Sequence, residues 1–349
     1  MVVNELITRI QKIKGILNSV SLDFCQLKMY PIAVYYNGMI YTDQGEYMIS
    51  EIENISDYAI INFDNLYDDD VVNAGYCIKI MAENNFYRKK DVRIPNDLLA
   101  LDYPNVYLNY DYLSYERKLL MKGLTISDRY VKLNYLRMFL NIRDLRDQII
   151  GTEFSVLEYQ LETIEGLSQY AMYRFMISYD KKYQKFFKNK LTKIDYETAS
   201  YFSFRYRNKY SGLMMLLYFE EFGLNIERLY SSSDTLYQLA IEHFKFIKEP
   251  IPIKSDKQLL ENLYEYDDAI TEKFTIYFEN DPKKIFGSWQ IYQYDPLRIY
   301  KNKSNIYHES FVVLKSLLDN ELLYLEGPII TKVMENSIDI VTCYYRLGG

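Results

Sequence analysis

Between residues 109 and 246 the chain repeats apolar side chains at helical spacing in five segments, 109–124, 128–147, 154–177, 195–222 and 233–246, with few Gly or Pro inside them. Each segment therefore has an apolar face to bury, and a body of helices packed on one another is the main constraint on the fold. Residues 3–19 carry Leu6, Ile7, Ile10, Ile13, Ile16 and Leu17 at the same spacing, which predicts an opening amphipathic helix. In "PIAVYYNGMIYTD" the pair Asn37-Gly38 separates two β-rich runs, a hairpin signal, and "YAIINFDNL" (58–66) reads as one more strand. From Asp68, acids precede a segment with Val71, Ala74, Ile78 and Met81 on one face, as in a helix with a favourable N-terminal charge.

Two prolines in "KEPIPIKSDK" (248–257) mark a break, and beyond a further helix the tail is strand-like: "KFTIYFEN" (273–280), "SWQIYQYD", "ESFVVLKSLL", "ELLYLEGPIITKVM" and "IDIVTCYYR". The expected fold class is α+β, with an N-terminal helix and small β-sheet, a mainly helical body and a C-terminal β subdomain. The expected division is 1–247 and 258–349, with 248–257 as linker.

The net charge of −7 argues against nucleic acid, which needs clustered Lys and Arg. The basic runs 180–193 and 87–93 read as solvated helix faces. No run approaches the ~20 apolar residues of a membrane span and the first residues lack a signal-peptide core, so no membrane role is expected. Cys25, Cys77 and Cys343 are widely spaced and odd in number, which suits a reduced, cytoplasmic protein. Tyrosine is abundant, 38 residues against 18 Phe, and its ring and hydroxyl suit half-buried positions along the whole chain.

Two histidines limit the chemistry. His243 falls late on a helix and His308 near the start of a strand, neither at metal spacing, so both read as structural. The chain has no GxSxG, Walker loop or GxGxxG. "SSSD" (231–234) reads as a turn into an N-cap at Ser233 or Asp234. In "EYQLETIEGLSQY" (158–170), Glu158, Glu162, Glu165 and Gln169 share a helical face, which composition alone reads as a solvated acidic stripe. Gly166 costs ~1 kcal/mol relative to Ala inside a helix, and a close backbone approach would account for it.

Two stretches carry a resemblance. "AENNF" (82–86) and "ETIEGLSQY" (162–170) resemble the two zinc helices of gluzincin-type peptidases, where HExxH supplies two His ligands and a base, and a second helix supplies a Glu ligand. "RIPNDLLALDYPN", "NYDYLSYERKLLMKGL", "RFMISY", "KYSGLMMLLYFEEFGL", "YQYDPLRIY" and "YLEGPII" extend the likeness to bacterial zincin-like proteins over most of the chain from about residue 30. The resemblance implies a zincin-like fold, with Glu83 at the base position and Glu165 at the ligand position. It implies a cleft along Ala82, Glu83, Phe86, Tyr87, Glu116, Glu162, Glu165 and Gln169. The two His positions hold Ala82 and Phe86, which cannot bind a metal, so no metal and no cofactor is expected.

The leading expectation is a catalytically degenerate zincin-like protein that binds a peptide or protein partner in the retained cleft. Alternatives are a hydrolase using Glu83, Glu116, Glu162 and Glu165 as a carboxylate cluster, with or without a hard metal, and a structural subunit of an assembly. The terminal Leu-Gly-Gly reads as a flexible end.

Overall fold

A computed structural model describes residues 2–20, 27–48, 57–104, 106–193, 204–246, 248, 251 and 257–348. The architecture is mixed α+β. Helix α1 (Val2–Asn18) buries Leu6, Ile10, Ile13 and Leu17 against the small sheet and the next helix. Strands β1 (Ile32–Tyr36), β2 (Met39–Tyr41), β3 (Glu46–Met48) and β4 (Ala59–Asn62) form that sheet in the order β3-β2-β1-β4, with β1 and β4 parallel. Asn37 and Gly38 take φ of 48° and 81°, the pair of left-handed residues that a tight two-residue hairpin demands.

The helical body follows: α2 (Asp70–Arg88), α3 (Tyr107–Thr125), α4 (Arg129–Ile150), α5 (Thr152–Tyr179), α6 (Tyr183–Lys193), α7 (Phe204–Phe222) and α8 (Leu236–His243). Asp69 caps α2 by accepting from the Val71 N–H, and Asp128 caps α4 by accepting from the Val131 N–H. The cap of α8 is Thr235, in a capping box with Gln238, rather than Ser233 or Asp234; the Gln three residues on fixes the start there. In the basic run, Tyr183, Phe187 and Leu191 are buried at four-residue spacing in α6, while Lys185 and Lys188 are exposed and Lys190 is half-buried over Tyr67 and Tyr76. The start expected for α7 at 195 lies outside the described residues, as do Cys25 and most of the 248–257 linker.

Helix α5 is the axis of the body, packed on α2, α4, α6, α7 and α8. It crosses α7 at Gly166 and Gly212. A Cβ on Gly166 would lie 2.8 Å from the Gly212 Cα, and one on Gly212 would strike the Glu162 carbonyl oxygen. The close approach offsets the cost of a glycine inside each helix.

After α9 (Lys257–Glu279), strands β5 (Lys283–Tyr294), β6 (Ile299–Asn302), β7 (Asn305–His308), β8 (Phe311–Ser316), β9 (Leu322–Glu326), β10 (Ile329–Val333) and β11 (Ile340–Arg346) form an antiparallel sheet in the order β6-β7-β10-β11-β5-β8-β9. The run 273–280, expected as strand, is instead the last part of α9. Phe274 and Tyr277, three apart, pack on Ile330, so helical spacing outweighs the β-propensity of the individual residues. The β6–β7 hairpin was not legible, because its turn uses Lys303 at φ 56° in place of a glycine. Leu259 and Leu263 of α9 pack on Tyr110 and Leu113 of α3, and Leu98 joins the core of the large sheet. Leu347 packs beside Tyr277, and Gly349 lies outside the described residues. No helix among the described residues is long and apolar enough to cross a membrane.

Substituting Gly212→Ala should destabilise the fold by about 1–3 kcal/mol despite the better helix propensity of alanine. Gly15→Ala, where a Cβ meets nothing within 4 Å, should be neutral or stabilise by up to ~1 kcal/mol. Urea denaturation of both variants checks the contrast.

Candidate functional site

The acidic face of α5 is not solvated. Glu158, Glu162, Glu165 and Gln169 are all buried, and α4 and α7 turn arginines toward the three glutamates. Arg143 grips Glu162 with two hydrogen bonds, Nη1 to Oε2 at 2.6 Å and Nη2 to Oε1 at 2.9 Å, and its Nε reaches Glu116 at 2.9 Å. Arg146 Nε donates to Glu116 at 2.7 Å, and its Nη2 donates to Glu158. Arg207 Nη2 and the Tyr103 hydroxyl both donate to Glu158 Oε1, at 2.8 and 2.7 Å. Three guanidiniums thus meet three carboxylates with almost no solvent access. Burial alone would raise the Glu158 carboxyl, but Arg146 and Arg207 outweigh it and bring it down to about 2. Glu116 and Glu162 belong to this internally neutral network and do not join a carboxylate cluster with Glu83 and Glu165.

Glu83 and Glu165 do meet, across the packed pair α2 and α5. The Lys79 ammonium touches Glu83 one turn along α2 and stands 3.7 Å from Glu165 Oε2. Arg205, at the start of α7, donates to Glu165 from Nη1 at 2.7 Å and to Asp97 from Nε at 2.9 Å and Nη2 at 2.5 Å. Its Nη2 also reaches the Tyr87 hydroxyl at 3.1 Å. The two carboxyls are pushed in opposite directions. Burial raises Glu83 further than Lys79 lowers it, whereas for Glu165 the pull of Lys79 and Arg205 exceeds the effect of burial. Burial and the nearby Lys79 charge lower Lys209 to about 8.

Ala82 and Phe86 lie in the hydrophobic core and not on a cleft wall, with Phe86 stacked on Tyr230. Neither offers a donor, and Glu165 is already held by two cations, so these residues do not fit a zinc ion. Among the described residues no group of three His, Cys, Asp or Glu is placed to hold a metal. Gln169 is buried against Met172, whereas Tyr87 is exposed beside Arg205. His243 closes α8, and His308 ends β7 with Nε2 3.0 Å from the Thr331 hydroxyl, its pKa pushed down to about 3 by burial. Sequence reading missed Lys79, Asp97, Arg205 and Lys209. Only Lys79 carried a signal, its position four residues before Glu83 on one helix.

Helix α2 also packs against β4 of the small sheet. Among the described residues β4 pairs only with β1, leaving its other edge open. The Ala59 N–H donates to the Pro31 carbonyl at 2.8 Å, so by alternation the N–H and C=O of Ile60 point away from β1. Beside that edge lies a cavity of about 450 Å³, walled by Ile60 and Asn62 of β4, Tyr67, and Tyr76 and Ile80 of α2. Ile80 stands one residue beyond Lys79 and three before Glu83, so the cavity and the carboxyl pair share a stretch of α2.

Two outcomes follow from these charges. Glu158 has a folded-state pKa of about 2 against an ordinary 4.5, which contributes roughly 3 kcal/mol above pH ~4.5. That contribution should disappear as the pH falls through about 2, and urea midpoints measured from pH 5 downward will show the decline. Lys79→Met should cost about 1–3 kcal/mol at pH 7 by leaving Glu83 without its cation, and Glu83→Gln in the same chain should recover most of the loss in a double-mutant cycle.

Comparison with protein-family models, with curated proteins and with solved structures finds no match to this chain.

Proposed function

We propose that this chain is a zincin-like protein without zinc chemistry that binds an extended peptide along the open edge of β4 and the adjoining face of α2. The observation that carries the reading is the alignment of three features: a strand edge with outward backbone groups, a cavity between that strand and α2, and the Glu83–Glu165 pair on the same stretch of helix. Such an edge adds a peptide strand through main-chain hydrogen bonds, and the cavity takes one of its side chains. Lys79 and Arg205 act as internal counter-ions for the carboxyls, so the site needs no bound cation to be electrostatically satisfied. The meeting of the two carboxyls favours a second reading, hydrolysis by a metal-free pair in which Glu83, raised by burial, is the acid and Glu165, lowered by Lys79 and Arg205, is the base.

Selection of a random peptide library on the immobilised protein should yield binders. Their complexes should slow hydrogen exchange at the Ile60 amide, and Ile80→Asp should weaken them about tenfold or more. Cleavage of the selected peptides would transfer the assignment to the second reading. Binders that leave the Ile60 amide unprotected, or no binders at all, would refute the groove.

A further inference from the structure

A second cleft, sharing no lining residue with the β4 groove, opens between the helical body and the large sheet. Its volume is about 300 Å³, at the lower end of the range for small-molecule sites. Four tyrosines converge on it from separate parts of the chain: Tyr103 before α3, Tyr110 on α3, Tyr266 on α9 and Tyr300 on β6. Among the described residues, three cations line the wall, Arg205, Arg207 and Lys301, against one carboxylate, Asp97. The other carboxylates that hold these cations, Glu158, Glu165 and Asp102, are not part of the lining. Each of these cations is already paired, Arg205 with Asp97 and Glu165, Arg207 with Glu158 and Lys301 with Asp102, and of these pairs only that of Lys301 has a carboxylate as much as 41% exposed.

We propose that this cleft binds a small organic anion made of one planar ring and one carboxylate or phosphate group. The wall already shows the packing such a ring requires. The Arg207 guanidinium lies 4.2 Å from the Tyr103 ring centroid and 4.4 Å from that of Phe204, a planar cation packed against two mutually tilted rings. Tyr266 and Tyr300 offer further faces, and burial raises the pKa of both hydroxyls, so they remain protonated donors at neutral pH. The anionic group meets Arg205 and Lys301, whose side chains are 15% and 13% exposed. Lys301 directs its two hydrogen bonds to Asp102, a carboxylate 41% exposed that can turn to water when a ligand anion replaces it. Size and charge together disfavour a polymer or a neutral sugar. The cleft meets the carboxyl pair of the peptide site only at Arg205.

Calorimetric titration of the full chain tests it with four probes: 4-hydroxyphenylacetate and adenosine 5′-monophosphate as ring anions, 4-hydroxyphenylacetamide as a neutral ring, and succinate as an anion without a ring. At least one ring anion should bind one to one, about tenfold or more tighter than either control, and more weakly as salt is added. Whichever of the two binds tighter identifies carboxylate or phosphate as the preferred group. Tyr266→Ala and Lys301→Met should each weaken that ligand about tenfold. Leu297→Glu places a repelling charge at a rim residue that is 65% exposed, where folding is little affected, and should weaken it comparably. The proposal is overturned if neither ring anion saturates, if the amide or succinate binds equally well, or if the folded Leu297→Glu variant binds as the parent does.

Discussion

The rest of the molecule is arranged around the ion network that α3, α4, α5 and α7 close inside the helical body. Glu116, Glu158 and Glu162 face Arg143, Arg146 and Arg207 with side chains no more than 2% exposed, so none of the six can be satisfied by water. Desolvating six charges is expensive, and well-packed apolar residues in their place would be as stable or more so. The network supplies constraint. Each guanidinium has a planar fork that accepts its carboxylate in few orientations, so the four helices fit in one register or leave a buried charge unmatched. The Gly166–Gly212 crossing works with it, because only helices in near backbone contact let Arg207 reach across to Glu158.

That rigid centre also places the chemistry. Helix α5 gives Glu158 and Glu162 to the network and Glu165, less than one turn later, to the pair with Glu83. Helix α7 divides likewise, Arg207 entering the network and Arg205 holding Glu165 and Asp97. Arg205 therefore stands at a junction: it belongs to the carboxyl pair through Glu165, to the exposed surface through Tyr87, and to the wall of the aromatic cleft.

What was legible in the sequence follows from how local each signal is. The Asn37-Gly38 turn, the acids at the start of α2 and the glycine inside α5 depend on neighbours a few residues away, and each is where its pattern placed it. The acidic face of α5 misled because an acid stripe reads the same whether water or arginine covers it. Arg146 and Arg207, which cover Glu158, stand 12 and 49 residues away, and no periodicity joins them. Ala82 and Phe86 show the converse. Their spacing marks one face of α2, but whether that face borders a cleft or the core depends on Tyr230 and α5, which local pattern does not encode. Tyrosine was read as a half-exposed residue, yet Tyr103, Tyr218 and Tyr230 are buried because each hydroxyl finds a carboxylate or carbonyl to bond.

Burial and charge around Glu83 explain the unequal behaviour of its neighbours. Lys79 and Arg205 stand among the carboxyls Glu83, Glu165 and Asp97, and burial raises Glu83 while the two cations hold Glu165 down. Lys209 is lowered to about 8 by its burial and by the Lys79 charge, against the opposing pull of Glu165 and Glu83.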